Sequence, residues 1–259
     1  MKGFWAKNME ILACIKRVPI TGSQLILTPD NQALQTDNMG YGISPHEENA
    51  VEAGVQLTEQ IGGQLTLLTL GPTDAEEQLR ASLAVGAARA ILLETDGNDW
   101  DPQATANALV EAIKAEPTKF DMIIFGAESA DSAGYQIHIR VAHALGMPII
   151  TNVKAMKVEG GKVRGERVVG TQREVYEAPL PAIVTVRDGL NVPRYPSVPG
   201  RMQARKKPVD IKAAGGAAPK LEKLKLTVVP SKDTGAEILG NGADAVPALV
   251  EKFKQIGVL

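Results

Sequence analysis

Short apolar runs, separated by segments of helical length, constrain this chain more than any other feature. They recur at residues 10–16 (EILACIK), 64–70 (QLTLLTL), 89–95 (RAILLET), 121–127 (DMIIFGA) and 181–187 (PAIVTVR). Each is rich in Ile, Leu and Val and lacks clean polar alternation, the pattern of strands buried on both faces. The segments between them, 47–59, 74–85, 102–115 and 132–145, carry helical spacing. Residues 74–85 open on an acidic turn, which suits a helix N-terminus. Residues 132–145 open on Ser132 as a cap and end at Gly146, a usual stop. Strands that alternate with helices of this length predict an α/β fold with a parallel sheet flanked by helices.

Two pairs of short segments break the rhythm. Residues 23–28 and 33–36 flank Pro29-Asp30-Asn31, a turn signal, and residues 150–158 and 162–170 flank Glu159-Gly160-Gly161, a hairpin signal. Both read as additions to a sheet edge or as a lid. After Asp188 the composition changes: Pro193, Pro196, Pro199 and Pro208 exclude a continuous helix or a central strand. Residues 213–220 read as a linker, 221–230 as one short strand, and 243–258 as an amphipathic helix with Val246, Leu249, Val250, Phe253 and Ile256 on one face. This extension has too few apolar positions for a core of its own. It packs back on its own domain or on a partner chain, and composition alone leaves both open.

The 259 residues are 44% hydrophobic, enough for one sizeable core or a core plus a smaller lobe. A formal net charge of -2 and 4% aromatic residues argue against nucleic-acid binding. The single cysteine, Cys14, excludes an internal disulfide and reads as a small buried side chain. No apolar run approaches the roughly 20 residues of a membrane span. The opening MKGFWAKN is not a secretory signal and reads as a ragged extension, with Met9 an alternative start. A soluble, cytoplasmic protein is expected.

Open α/β sheets bind ligands at the carboxyl ends of their strands. Here those ends are Cys14-Ile15-Lys16, Leu70-Gly71-Pro72 and the stretch from Gly126 through Asp131, which runs into Ser132-Ala133-Gly134-Tyr135-Gln136. Small residues admit a ligand to the backbone, and free N–H groups of a helix start suit a phosphate. GxGxxG and a phosphate loop ending in Gly-Lys-Ser/Thr are absent. No Ser/His/Asp or Cys/His arrangement suggests itself. His138 and His143 lack metal-ligand spacing, and His46, in Ser44-Pro45-His46-Glu47, either caps a helix or touches a ligand. A nucleotide-shaped site without catalytic apparatus favours a binding or carrier subunit over an enzyme acting alone.

Residues 190–207, LNVPRYPSVPGRMQARKK, closely resemble the signature segment of the electron transfer flavoprotein β subunit family, with Asn191, Pro193, Arg194, Tyr195 and the basic Arg205-Lys206-Lys207 in place. The resemblance covers the whole chain: ILACIKRVP, GISPHEENAVEAG, LAVGAARAILL and the closing LVEKFKQIGVL are similar to family segments too. It implies a Rossmann-like sheet of the adenine nucleotide α-hydrolase kind with a C-terminal arm. Residues 1–188 would form the nucleotide-binding domain, and 189–259 a recognition loop and an arm that packs on an α subunit. The implied protein is an electron carrier, not an enzyme. A redox-active FAD is shared with α and mostly held by it, AMP sits in the β subunit's own site, a flavin-dependent dehydrogenase is the donor, and a quinone oxidoreductase or similar protein is the acceptor. Carried over by residue, the nucleotide contacts fall on Cys14, Ser44, Pro45, His46, Glu47 and Leu70, and on Gly126, Ala127, Glu128, Ser129, Ala130, Asp131, Ser132, Ala133, Gly134, Tyr135, Gln136 and Ile137. Partner docking falls on Arg194, Tyr195, Pro196, Val198, Pro199 and Met202, with Val198 as the aliphatic anchor. Ser44 stands where the family usually has Asn, and Val168 where many members have Glu. The alternative is the flavin-bifurcating, NADH-linked branch, with a second FAD in the AMP site. Of that branch's loop pattern Gln136 agrees but the second acid and the threonine are gone, while CIKRVP leans toward its first strand.

Overall fold

A computed structural model of the chain describes residues 8–22, 25–37, 39–215, 220–229 and 235–259. Of the segments read from the sequence, the extension at residues 1–7, the start of 23–28, residues 216–219 of the 213–220 linker and Pro230 lie outside the described residues.

The apolar runs become the middle of one sheet. β1 (Met9–Cys14), β4 (Gly63–Gly71), β5 (Arg89–Glu94), β6 (Met122–Gly126) and β11 (Ala182–Val186) are joined by two edge strands, β7 (Ile149–Val153) and β12 (Val209–Ala213). The order is β12-β5-β4-β1-β6-β11-β7, and every neighbouring pair is parallel. The strands lack alternation because both faces are covered. Ile11 and Ala13 face one apolar cluster with Val51, Val55, Leu79 and Leu83, and Leu12 and Cys14 face a second with Leu109, Ile113 and Val141. Thus α1 (Pro45–Ile61) and α2 (Glu76–Ala84) cover one side, and α3 (Pro102–Ala115) and α4 (Ile137–Leu145) the other. Gly54 is what lets α1 lie close to the sheet, since a Cβ there would sit 2.7 Å from Leu65 Cδ1.

Local sequence sets the helix starts. Pro45 and Pro102 occupy first turns, where a missing N–H costs nothing. Asp101 caps α3 by accepting from the N–H groups of Gln103 and Ala104 at 2.7 and 2.8 Å. Gly146 ends α4 in the left-handed region at φ 65°, as its position suggested. The expected helix start at Ser132 is corrected: α4 begins five residues later, because Ala133 (φ 45°) and Tyr135 (φ 52°) hold the chain in a non-helical loop.

The hairpin signal at Glu159-Gly160-Gly161 is met by β8 (Ala155–Glu159) and β9 (Lys162–Val169), which with β10 (Gln172–Pro179) form a separate antiparallel sheet. The earlier pair is reduced to one bridge, Leu27 with Leu34, and a further two-stranded piece joins β2 (Val18–Pro19) to β3 (Tyr41–Gly42). β12 lies within the expected C-terminal extension, yet it pairs with β5 from Val209–Ala90 to Ala213–Glu94. No strand forms at 221–229: the alternation there finds no partner strand among the described residues. The terminal helix is present as α6 (Val246–Gln255), and none of its residues is buried. Among the described residues no helix is long and apolar enough to cross a membrane.

Candidate functional site

Within this order, β1 is followed by β4 and β5 on one side and by β6 on the other, so the strand order reverses between β1 and β6. A crevice opens at such a switch point, beyond the carboxyl ends of the strands. The structure brings the sequence-derived residues to that end. Cys14 and Phe125 are register partners, and Val186 pairs with Gly126.

Three groups of residues build the site. The first is the start of α1. Ser44 is buried, its N–H donates to Glu47 Oε2 at 2.9 Å, and its hydroxyl lies 2.9 Å from the same oxygen and 3.3 Å from the carbonyl of Glu128. Glu47 is itself buried, and desolvation pushes its carboxyl up to about 7 despite hydrogen bonds from Ser44 and the backbone of Lys16. This carboxylate therefore already fills the N-terminus of α1. Gly126 must be glycine for the packing: a Cβ would lie 2.9 Å from Glu47 Cγ and 3.1 Å from His46 Cβ.

The second group is the loop after β6. Ala127 is buried, Glu128 and Ser129 are half-buried, and 130–136 are all exposed. Ser129 and Ser132 share a hydroxyl–hydroxyl contact of 2.9 Å, and the Ser132 N–H donates to Asp131 Oδ1 at 2.8 Å. Burial favours the neutral form of Asp131, but the Lys16 ammonium beside it outweighs that and holds its carboxyl below the usual range. Gln136 occupies the cap position of α4 without capping it, and its Oε1 instead accepts from Arg140 Nη2 at 2.9 Å. Among the described residues the first N–H groups of α4 thus have no side-chain acceptor.

The third is His46. Its Nδ1 accepts from the Asp188 N–H at 2.8 Å, so the hydrogen sits on Nε2, which faces Glu128 Oε1 at 3.3 Å. The ring joins the loops after β6 and β11 and does not cap α1.

Cys14 and Leu70 lie at the strand ends. The Cys14 side chain is turned into the core, where burial raises its thiol pKa far above the ordinary value, so it is an inert wall and not a nucleophile. Pro45 is exposed, and Ile137 is half-buried against the α3–α4 side. Sequence reasoning placed Lys16 at a ligand-binding strand end without assigning it a contact, and did not single out Arg187. Lys16 was legible as the first cation past a strand end. Arg187, just past β11, has a buried Nε with no hydrogen-bond partner among the described residues.

The segment singled out at 190–207 runs along α1 and α2. Asn191 bonds to Asn49 through both its N–H (3.2 Å) and its side-chain amide (3.0 Å). Arg194 grips two acids of α1: Nε to Glu52 Oε2 at 2.9 Å, and Nη1 to Glu59 Oε1 at 2.6 Å. Ser197 then caps α5 (Val198–Ala204), and Gly200 lets this helix touch α2, since a Cβ there would lie 2.5 Å from the Ala84 carbonyl. Arg80 closes the far end by donating to the carbonyls of Ala204 and Lys207. Pro196 is half-buried and Pro199 exposed. This frame presents an apolar trio outward: Tyr195 is 94% exposed, Val198 73% and Met202 66%.

An open parallel sheet whose strand order reverses between β1 and β6 defines a Rossmann-like α/β protein, here carrying an outward-facing apolar segment between β11 and β12. The electron transfer flavoprotein domain family matches residues 33–215. The chain is 32% identical to the electron transfer flavoprotein subunit beta of Bacillus subtilis, over 95% of this chain and 98% of that one. It is 34% identical to the subunit beta of Thermoanaerobacterium thermosaccharolyticum, over 97% and 100%, and 30% identical to that of Bos taurus, over 96% and 98%. The chain belongs to the electron transfer flavoprotein β subunit family.

Proposed function

We propose that this chain is the β subunit of a heterodimeric cytoplasmic electron carrier: it binds AMP in the switch-point crevice, helps an α subunit hold FAD, and docks a flavin-dependent dehydrogenase that passes electrons on to a quinone oxidoreductase or similar acceptor. When bound, the flavin supplies the redox chemistry. This chain supplies binding and positioning. The exposed loop 130–136, the uncapped start of α4 and the adjacent Lys16 suit a phosphate, and the carboxylate of Glu47 closes the alternative anion site at α1. The exposed apolar face of α6 suits an α subunit.

The observation that carries the docking role is the exposed Tyr195–Val198–Met202 face on a backbone held by Arg194, Asn191 and Arg80. A rigid segment loses little conformational freedom on binding. Val198→Asp tests it. An acid at the first position of α5 is compatible with the helix dipole, so the fold is retained. Donor-driven flavin reduction is expected to be lost with heterodimer and FAD content intact, and unchanged turnover with the donor overturns the role. Small molecules released on denaturation should be one FAD and one AMP per heterodimer. Two FAD and no AMP would replace the AMP assignment with the bifurcating one.

A further inference from the structure

Three contacts tie the start of the docking segment to α1, and all three join residues 142 positions apart: Asp188 to His46, Asn191 to Asn49, and Arg194 to Glu52. The step of three keeps His46, Asn49 and Glu52 on neighbouring turns of one helix face. At the other end of the same face, the His46 ring reaches Glu128, at the head of the loop that lines the crevice. The Ser44 hydroxyl beside it reaches the Glu128 carbonyl. His46 thus has one nitrogen on the crevice loop and one on the docking segment, and its side chain is only 12% exposed.

The geometry points to His46 as a positioning residue that couples occupancy of the switch-point crevice to the posture of residues 188–194, and through them to partner docking. This rests on the crevice being a nucleotide site. A nucleotide that orders the loop after Glu128 fixes the Nε2 partner, which fixes the ring, which fixes the acceptor of the Asp188 N–H. By reciprocity a docked partner tightens nucleotide binding by the same factor.

The two arms can be cut separately. In His46→Asn the side-chain oxygen takes the place of Nδ1 and keeps the acceptor for Asp188 but loses the reach to Glu128. In His46→Gln the amide nitrogen takes the place of Nε2 and keeps the Glu128 arm only. Hydrogen exchange of the full chain, with and without AMP, reads both loops. In the native chain AMP is expected to slow exchange across 188–194 by at least about fivefold. Both variants are expected to lose this slowing. Without AMP, His46→Gln speeds exchange at Asp188 and His46→Asn speeds it at 128–136, a split that a generic structural role does not give. AMP-dependent slowing that survives in either variant overturns the coupling. So does an AMP-bound native chain with no change at 188–194. Glu128→Ala, read without nucleotide, separates the two ideas. Faster exchange at Asp188 supports the coupling even if AMP itself does not bind, an outcome that would remove only the nucleotide reading. Unchanged exchange at Asp188 overturns the coupling.

Discussion

Glu47→Gln isolates the cost of holding a carboxylate at the buried start of α1. Glu47 takes hydrogen bonds from the N–H and hydroxyl of Ser44, yet desolvation dominates and lifts it from 4.5 to about 7. The folded state therefore keeps a proton between these values that the unfolded chain has released. Stability falls as pH rises through this window, and the penalty is complete above the folded value. Lifting the pKa from 4.5 to about 7 corresponds to about 3 kcal/mol. Glutamine mimics the protonated acid and keeps an oxygen for Ser44, so the variant should match the native chain near pH 4.5 and exceed it at pH 8 by about 2–3 kcal/mol, or about 1 M in urea midpoint. The assay is urea unfolding of both chains from pH 5 to 8.5. Asp131 and Glu116 are lowered and act in the opposite sense at acid pH, but they are common to both proteins and cancel in the difference. A native-minus-variant difference that stays flat across the window, or grows in favour of the native chain toward alkaline pH, refutes the reasoning.

Arg194→Ala leaves the nearly buried carboxylate of Glu52 without its partner. Because Arg194 itself is more than a third exposed, the expected loss is about 1–2 kcal/mol in urea unfolding, partly restored by Glu52→Gln in the same chain, and Arg201 should become a faster tryptic site. Gly126→Ala forces the start of α1 away from β6, at a cost of about 1–3 kcal/mol by thermal unfolding and a matching loss of AMP affinity by calorimetry. Asp101→Ala removes both the cap of α3 and the acceptor for the N–H groups of Lys220 and Leu221. A loss of about 1 kcal/mol is expected, with faster exchange at 220–221 that Asp101→Asn largely prevents.

What the sequence made legible is what each residue signals by itself. Doubly buried strands need Ile, Leu and Val on both faces, so β1, β4, β5, β6 and β11 were readable. The start of α4 was not, because Ala133 and Tyr135 adopt positive φ without the glycine that normally announces it. β12 carries Asp210 and Lys212 behind Pro208 and looks like a polar tail; as an edge strand it can show those charges to solvent and still pair with β5. Residues 221–229 make the reverse point: LEKLKLTVV has a strand's alternation, and alternation without a neighbouring strand does not make one. The crevice was legible as a set of strand ends and a small-residue loop. Its internal wiring was not. Neither His46 nor Asp188 carries a local signal of the other, and Arg194 reads equally as a holder of the loop base or as a cation that steers a partner until Glu52 and Glu59 are found beneath it.

That difference bears on the docking role proposed for residues 190–207. Of its basic residues, Arg194 is committed to α1, and Lys207 donates to the carbonyls of Leu83 and Ala87 on the α2 side. Arg201, Arg205 and Lys206 remain exposed. The internal pairs fix the frame; under the proposed docking role the apolar trio of Tyr195, Val198 and Met202 supplies the contact area, and three exposed cations remain to attract an acidic partner surface. Higher salt should then slow association with the donor and leave dissociation nearly unchanged, whereas loss of the apolar face should speed dissociation. If salt acted chiefly on dissociation, the cations would belong to the contact itself, and the division of labour along this segment would have to be redrawn.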